Sequence, residues 1–353
     1  MTISKSLSKR IEILRFPLIA GIVLIHMHTS DITFSGGFNN PYNVLVTLFS
    51  EIVARVSVPL FFILSGFLFF ATLRPGLEGF LQKFRSRVST LLIPFLFWNA
   101  LIFLFFAIAQ NLPATAHYFT GERPLVMQLD FLQQLAVFFG VGEFQYPVAY
   151  QFWFIRDLMI MVLLSPLIYL LLRVAALPLL AALFLLWFFD VRWHTFIQMD
   201  PASLFFFTLG AWFGMRGFSP EWIDRRFRML LLFYGALIVI YLATENFYLY
   251  QGVILAGVAV VFGMTRYLVQ TQRIRLALEH LAKYSFFLFA LHEPVLSIVR
   301  KVMLKVAASQ SDLAIFLLYL FSAAVTILLV LFCYRLCERV APGILRIATG
   351  SRV

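Results

Sequence analysis

Arg15 and His26 lie in the first apolar stretch of the chain (ILRFPLIAGIVLIHMH), with ten residues between them. On a helix this separation is about three full turns, so both side chains leave one face, roughly 16 Å apart along the axis. A guanidinium there stays charged near one membrane surface, and an imidazole exchanges protons towards the other. Ionisable groups at such depth are costly and mark cavities, pathways or reactive centres. A histidine can take a proton from a hydroxyl and return it, which is what acyl transfer to an alcohol requires.

Two further groups of polar residues fall at matching depths. Towards the cytoplasm are Glu12, Arg15, Ser65 in FFILSGFLF, and the basic turn KFRSR with Lys83, Arg85 and Arg87. The planar fork of arginine suits phosphate, so a phosphate-bearing cofactor fits this end. Towards the outer face are His26, Glu51, Arg55, Trp153, Arg156 and Asp157, with His292 near the middle of a later span. This layering suggests reactants that arrive from opposite sides. Plainer readings stand beside it: Arg15 snorkelling to headgroups, Glu51 and Arg55 as a compensating pair one turn apart, and Trp153 in an aromatic belt. His28 points away from the Arg15 and His26 face and reads as a solvated end residue, while His117, His194 and His280 carry no usable signal. Cys333 and Cys337 are one turn apart and read as apolar fillers. No His, Cys or carboxylate cluster has metal-ligand spacing, so no metal is expected.

The elements that must position these residues are membrane helices. The chain of 353 residues is 62% hydrophobic and 13% charged, with a mean hydropathy of +0.91, beyond what a soluble core of this length needs. Ten apolar spans are predicted, at about 12–29, 48–71, 88–110, 151–172, 175–190, 200–215, 228–244, 248–266, 283–304 and 313–336. The fifth and sixth are short for a crossing. The expected fold is an all-α polytopic bundle with both termini cytoplasmic, forming one domain over residues 1–353 with its membrane core at about 11–337 and a short basic tail. With that topology most of the 28 Lys and Arg residues lie inside, Arg123 lies outside and Arg352 lies in the inner tail. The net charge of +11 is then a topology signal, and nucleic-acid binding is not expected. The connection 111–150 is external and holds a mildly amphipathic run, LVMQLDFLQQLAVFFG, suited to an interfacial helix or lid.

Taken together, these residues resemble the acyltransferase family 3 membrane proteins. Arg, ten residues, His in the first span is similar to the family hallmark. VPLFFILSGFLFF, FRSRVSTLLIPFLFW, FWFIRDLMIMVLLSPLI and KYSFFLFALHEP resemble its later segments, in order, from about residue 11 to 295. The resemblance implies a ten-span bundle that moves an acyl group, often acetyl, from cytoplasmic acyl-CoA to a hydroxyl of a glycan, a lipid-linked sugar or another small acceptor. It carries over His26 as the catalytic histidine, Arg15 as its partner near the donor, and Arg87 as the first arginine of an Arg-x-x-Arg turn. The second arginine is absent, because position 90 is Thr90, which leaves Arg85 or Lys83 as substitutes.

The leading expectation is therefore a membrane O-acyltransferase, in a bacterial inner membrane as is usual for the family. Donor-binding residues would be Arg15, Ser65, Arg85 and Arg87; catalytic residues His26 and Arg15; acceptor or supporting residues Glu51, Arg55, Trp153, Arg156, Asp157 and His292. His26 acts either as general base or through an acyl-imidazole, and both routes are open. Asp157, Glu51 and Glu293 are candidates to orient an imidazole. Membrane lipids, polysaccharide-biosynthesis proteins and a second copy of the chain are candidate partners. A rival reading is a transporter or flippase in which Arg15, Arg55 and Arg156 line a path and His26 couples protons. A scaffolding subunit would leave His26→Ala and Arg15→Ala silent.

Overall fold

The computed structural model describes residues 3–27, 40–118, 125–192, 196–306 and 311–351; His28, Arg123, His194 and Arg352 lie outside these. All regular structure among the described residues is helical. Helix α1 is Lys5–Met27, α2 Pro41–Ala71, α3 Leu77–Ala109, α4 Phe131–Phe139, α5 Trp153–Leu163 and α6 Ser165–Phe188. They are followed by α7 Pro201–Arg216, α8 Glu221–Thr244, α9 Phe247–Gln270, α10 Gln272–Ala282, α11 Ser285–Val306, α12 Asp312–Val340 and α13 Pro342–Thr349.

Six of these helices, α2, α3, α6, α8, α9 and α12, are long and apolar enough to cross a membrane. One of them, α6, is interrupted at Ala175 (φ −142°, ψ 53°), next to the boundary expected between the fourth and fifth spans. Starts follow cap chemistry: Asn40 before Pro41, Asp200 before Pro201 and Asn246 before α9 each accept a backbone N–H and satisfy an orphan donor. The amphipathic run of the connection 111–150 becomes α4, opened by a capping box of Asp130 and Gln133 and closed by Gly140 at φ 65°. Its Phe131 and Leu132 are exposed, as an interfacial helix requires.

Helix α1 is central, packed against α2, α9, α10, α11 and α12. Its depth is set by Arg10, which is only 4% exposed. The Arg10 guanidinium donates to both Asp224 carboxylate oxygens at 2.8 and 2.9 Å, to Thr265 Oγ1 at 2.7 Å and to the Phe262 carbonyl at 3.2 Å. Helix α2 is the most buried of the six long apolar helices and α8 the least.

The most extensive helix pair is α2 with α7, and its closeness follows from small residues. A Cβ on Gly66 would overlap the Phe207 carbonyl, one on Gly210 the Ile63 carbonyl, and one on Gly214 would sit 2.7 Å from the Phe67 carbonyl. Within a membrane, such small-residue faces let backbones meet and gain van der Waals contact. The glycine of the Ser-Gly-Phe segment is thus a packing residue that brings Ser65 to the bundle interior.

Two π-helical turns interrupt the long helices, at Thr47–Val53 in α2 and at Val88–Leu92 in α3. Beyond α12, residues that composition marks only as a basic tail form α13, whose Leu345, Ala348 and Thr349 are buried. The Trp98 indole N–H donates to the Ala348 carbonyl at 2.9 Å. Cys333 and Cys337 are free thiols packed at the core edge.

These contacts predict opposite outcomes for two glycines. Gly210→Ala should lose about 1–3 kcal/mol through overpacking, read as a lower apparent unfolding temperature in detergent. Gly235→Ala, with nothing within 4 Å of the added methyl, should be neutral or gain up to about 1 kcal/mol from helix propensity.

Candidate active site

A cavity of about 570 Å³ runs beside α1 and is lined by Glu12, Arg15, Ile19, Ile22 and His26 from that helix. These positions recur at helical spacing on one face, so the periodicity that joins Arg15 to His26 also builds the cavity wall. The other walls come from Arg55, Phe61, Ser65 and Phe69 of α2, Arg87 and Leu91 of α3, Gln151 before α5, Trp153, Phe154 and Leu158 of α5, and Lys283, Phe286 and Phe289 at and beyond the start of α11. Of the residues expected from sequence, Arg15, His26, Arg55, Ser65, Arg87 and Trp153 share this one cavity.

At the Arg15 end the lining carries Arg15, Arg87 and Lys283 together with Glu12 and Glu279. Arg15 makes no hydrogen bond or ion pair among the described residues and is exposed within its helix. Arg87 lies at the end of the first α-helical part of α3, immediately before the π turn, with its guanidinium 6.0 Å from the Phe69 ring. Lys83 donates to Thr72 Oγ1 at 2.5 Å and lies over the same ring, and Lys283 is 3.6 Å from Glu338. Arg85 is exposed and does not line the cavity. Free guanidiniums at a partly desolvated mouth suit an anion with several phosphate oxygens. Between the two ends the lining is mostly apolar, from Ile19, Ile22, Leu64, Phe154 and Phe286.

At the His26 end the imidazole is held on two sides. Its Nδ1 is 3.0 Å from the Tyr150 hydroxyl, with the two rings edge to face at 5.3 Å. On another side the His292 ring lies 5.3 Å away, tilted by 31°. His292 is fully buried, donates from Nδ1 to the Phe289 carbonyl at 2.6 Å, and has no partner for Nε2. It therefore adjoins His26 without lining the cavity. Tyr150, which the sequence offers only as an outer-side aromatic able to stack on a sugar ring or to sit in a belt, and Gln151, the first residue of an expected span, lie on a short 3₁₀ turn, Tyr150–Phe152, before α5.

Other expected residues serve the frame. Arg55 pairs with Glu51 at 2.8 Å across one turn, and only Arg55 reaches the cavity. Glu293 accepts from Ser297 and is not bonded to an imidazole. Arg156 and Asp157 form a buried knot away from the cavity. Arg156 donates to Asp157, to the carbonyls of Gly140 and Gln145 and to that of Gln198. Asp157 also accepts the Asp200 backbone N–H at 3.1 Å. The knot ties the end of α4 and the start of α7 to α5.

The order of these features along the chain matches one protein family. A model described as an acyltransferase domain matches residues 8–335. The chain belongs to acyltransferase family 3. This acyltransferase family 3 protein is 28% identical over 362 residues to a succinoglycan biosynthesis protein, ExoH, of Rhizobium meliloti (strain 1021), across 98% of this chain and 93% of that one. No solved structure matches it. Family membership and the six long apolar helices make it an integral membrane acyltransferase.

The knot predicts that Asp157→Ala costs about 3–5 kcal/mol, because it leaves a buried guanidinium without its carboxylate. The measurement is the yield of monodisperse protein after detergent extraction, which should fall sharply. Arg85→Ala, on an exposed side chain, should leave that yield unchanged.

Proposed function

We propose that this acyltransferase moves an acyl group, in our reading acetyl, from cytoplasmic acyl-CoA to a hydroxyl of a cell-surface polysaccharide or its lipid-linked precursor. The carrying observation is that unpaired Arg15 and Arg87 share one cavity with His26. The ExoH relative, named for succinoglycan biosynthesis, supports a polysaccharide acceptor. The bundle is read as ten spans: the six long apolar helices, with α6 divided at Ala175 so that its first half continues α5, together with α1, α7 and α11. Both termini are cytoplasmic, and the membrane is a bacterial inner membrane. Arg15 and Arg87 then face the cytoplasm and His26 the outer side.

In this reading Arg15 and Arg87, aided by Lys283, take the phosphates of CoA. The apolar middle accommodates the pantetheine arm and brings the thioester towards His26, roughly 16 Å from Arg15 along α1. His26 accepts the proton of the acceptor hydroxyl while the oxygen bonds to the acyl carbon. The carbon–sulfur bond then breaks, and the proton passes to the departing thiolate, giving the ester and free CoA thiol. In the alternative route His26 Nε2 attacks the thioester first, releases the thiolate, and carries the acyl group as an acyl-imidazole until the hydroxyl displaces it. Arg55 and Trp153 line the cavity near the acceptor.

Membranes containing the protein are incubated with acetyl-CoA labelled in its acetyl group. Wild type should label polysaccharide or lipid-linked material, and His26→Ala should lose at least about a hundredfold of that rate, the usual contribution of an acid–base group. Arg15→Ala and Arg87→Ala should chiefly raise KM for acetyl-CoA. Label that moves equally well in His26→Ala would overturn the assignment. Labelled His26 recovered without acceptor would select the acyl-imidazole route.

A further inference from the structure

Between α10, which ends at Ala282, and α11, which begins at Ser285, the chain makes a turn of two residues, Lys283 and Tyr284. The turn interrupts the helical ladder. The Tyr284 N–H reaches back three residues to the Leu281 carbonyl at 3.0 Å, and the Leu288 N–H bonds to the Tyr284 carbonyl at 2.9 Å. In between, the N–H groups of Ser285 and Phe287 make no hydrogen bond among the described residues, as the first turn of a helix leads one to expect. This turn belongs to the cavity wall: Ala282, Lys283, Ser285, Phe286 and Phe289 line the same cavity as Arg15 and Arg87.

Ser285 is the residue that gives this wall a chemistry. It is 7% exposed, lines the cavity, and its hydroxyl has no hydrogen-bond partner. A buried hydroxyl without a partner costs stability, and such a group is expected where a ligand supplies what the chain does not. Side chains on a helix lean towards its N-terminus, which carries this hydroxyl to the same end as the bare N–H groups. The dipole of a helix of 22 residues adds partial positive charge there. Beside the turn, Lys283 brings a full charge, shared with Glu338 at 3.6 Å. Glu279 on α10 also lines the cavity, and its carboxylate lies 3.9 Å from Arg275. Donors that converge on a helix N-terminus suit an anion, and phosphate oxygens above all.

We propose that the first turn of α11, with Ser285 at its head, seats one phosphate group of the acyl donor, on a wall of the cavity separate from those that carry Arg15 and Arg87. The Ser285 hydroxyl and the N–H groups of Ser285 and Phe287 donate to the phosphate oxygens, and the arginines meet the remaining charge. CoA carries a diphosphate and a separate phosphate monoester, so seats on three walls are not redundant. This rests on the acyl-CoA reading above and adds to it a set of neutral donors that select the geometry of a phosphate rather than its charge alone. A phospholipid headgroup offers the same chemistry from a second source.

The test is thermal unfolding of the purified protein in nanodiscs of neutral lipid, titrated with CoA, with inorganic pyrophosphate and, in a third arm, with phosphatidylglycerol mixed into the disc. Without ligand, Ser285→Ala should unfold at the wild-type temperature, because the hydroxyl bonds to nothing within the protein. It should need about tenfold more CoA or pyrophosphate for the same stabilisation, the share of one hydrogen bond to a charged group. Its KM for acetyl-CoA should rise by a similar factor with kcat unchanged. Ser285→Asp fills the seat with the chain's own carboxylate; it should unfold no lower than wild type, since an anion suits a helix N-terminus, and should lose the response to pyrophosphate. Equal ligand responses in wild type and Ser285→Ala, or a Ser285→Ala or Ser285→Asp protein destabilised without ligand, would overturn the proposal. So would a Ser285-dependent response to phosphatidylglycerol alone, which would assign the seat to a lipid headgroup. Wild type that responds to pyrophosphate through Ser285 but neither binds CoA nor transfers acetyl would sink the acyl-CoA reading and leave the phosphate seat standing.

Discussion

Every distance in the proposed mechanism depends on how deep α1 sits, and that depth is fixed by a guanidinium shielded from solvent. Arg10 satisfies its donors with a carboxylate on α8 and with a hydroxyl and a carbonyl on α9. A buried ion pair adds little to net stability when it replaces a good apolar contact, but it penalises any other arrangement of its partners. A slip of α1 by one turn, about 5.4 Å, would strand Arg10 from Asp224. The same slip would carry Arg15 and His26 away from Arg87 and Tyr150. A packing contact between leucines tolerates small shifts along the helix; this one does not.

The walls around α1 are rigid for different reasons on each side. Along α2 and α7 the glycines allow backbone-to-backbone contact, which leaves no space to repack. At the His26 end of the bundle, where irregular backbone approaches it, the carbonyls of Gly140, Gln145 and Gln198 are gathered by Arg156. Irregular backbone at membrane depth is tolerated only where its polar groups find partners, and one arginine supplies several at once. The cavity thus lies between a face that is tight because it has no side chains and a face that is tight because one side chain serves many acceptors.

This division explains what could be read from the sequence. Membrane character, helical class and the shared face of Arg15 and His26 follow from hydropathy and from the 3.6-residue period, which are local properties. Of the residues that line the cavity, Ser65, Arg55 and Trp153 stand out as polar or amphipathic groups in apolar runs, and Arg87 through its basic turn. Arg156 and Asp157 stand out for the same reason, yet the structure uses them to tie loops together, since the same residue types solve both problems. Arg10 looked like one more topological charge, because its partners are more than two hundred positions away. Tyr150 stands out in the sequence only as an outer-side aromatic; its relation to His26 comes from a turn held by Asn99 and Gln151, and no periodicity encodes a turn.

The docking of α13 has a further meaning for assembly. Gly350 (φ 64°) lies so close to the π turn of α3 that a Cβ there would come within 2.8–2.9 Å of Ser89 and Thr90, and Trp98 reaches the preceding helix. That turn directly follows Arg87. Since α13 follows all the membrane helices in the chain, it can take this place only after they have been synthesised. The His26 end of the cavity is formed by residues up to α11, whereas the support beneath Arg87 arrives later. A partly inserted chain would therefore possess the His26 end of the cavity before Arg87 is braced, and the order of synthesis delays completion of the Arg87 end until α13 has docked.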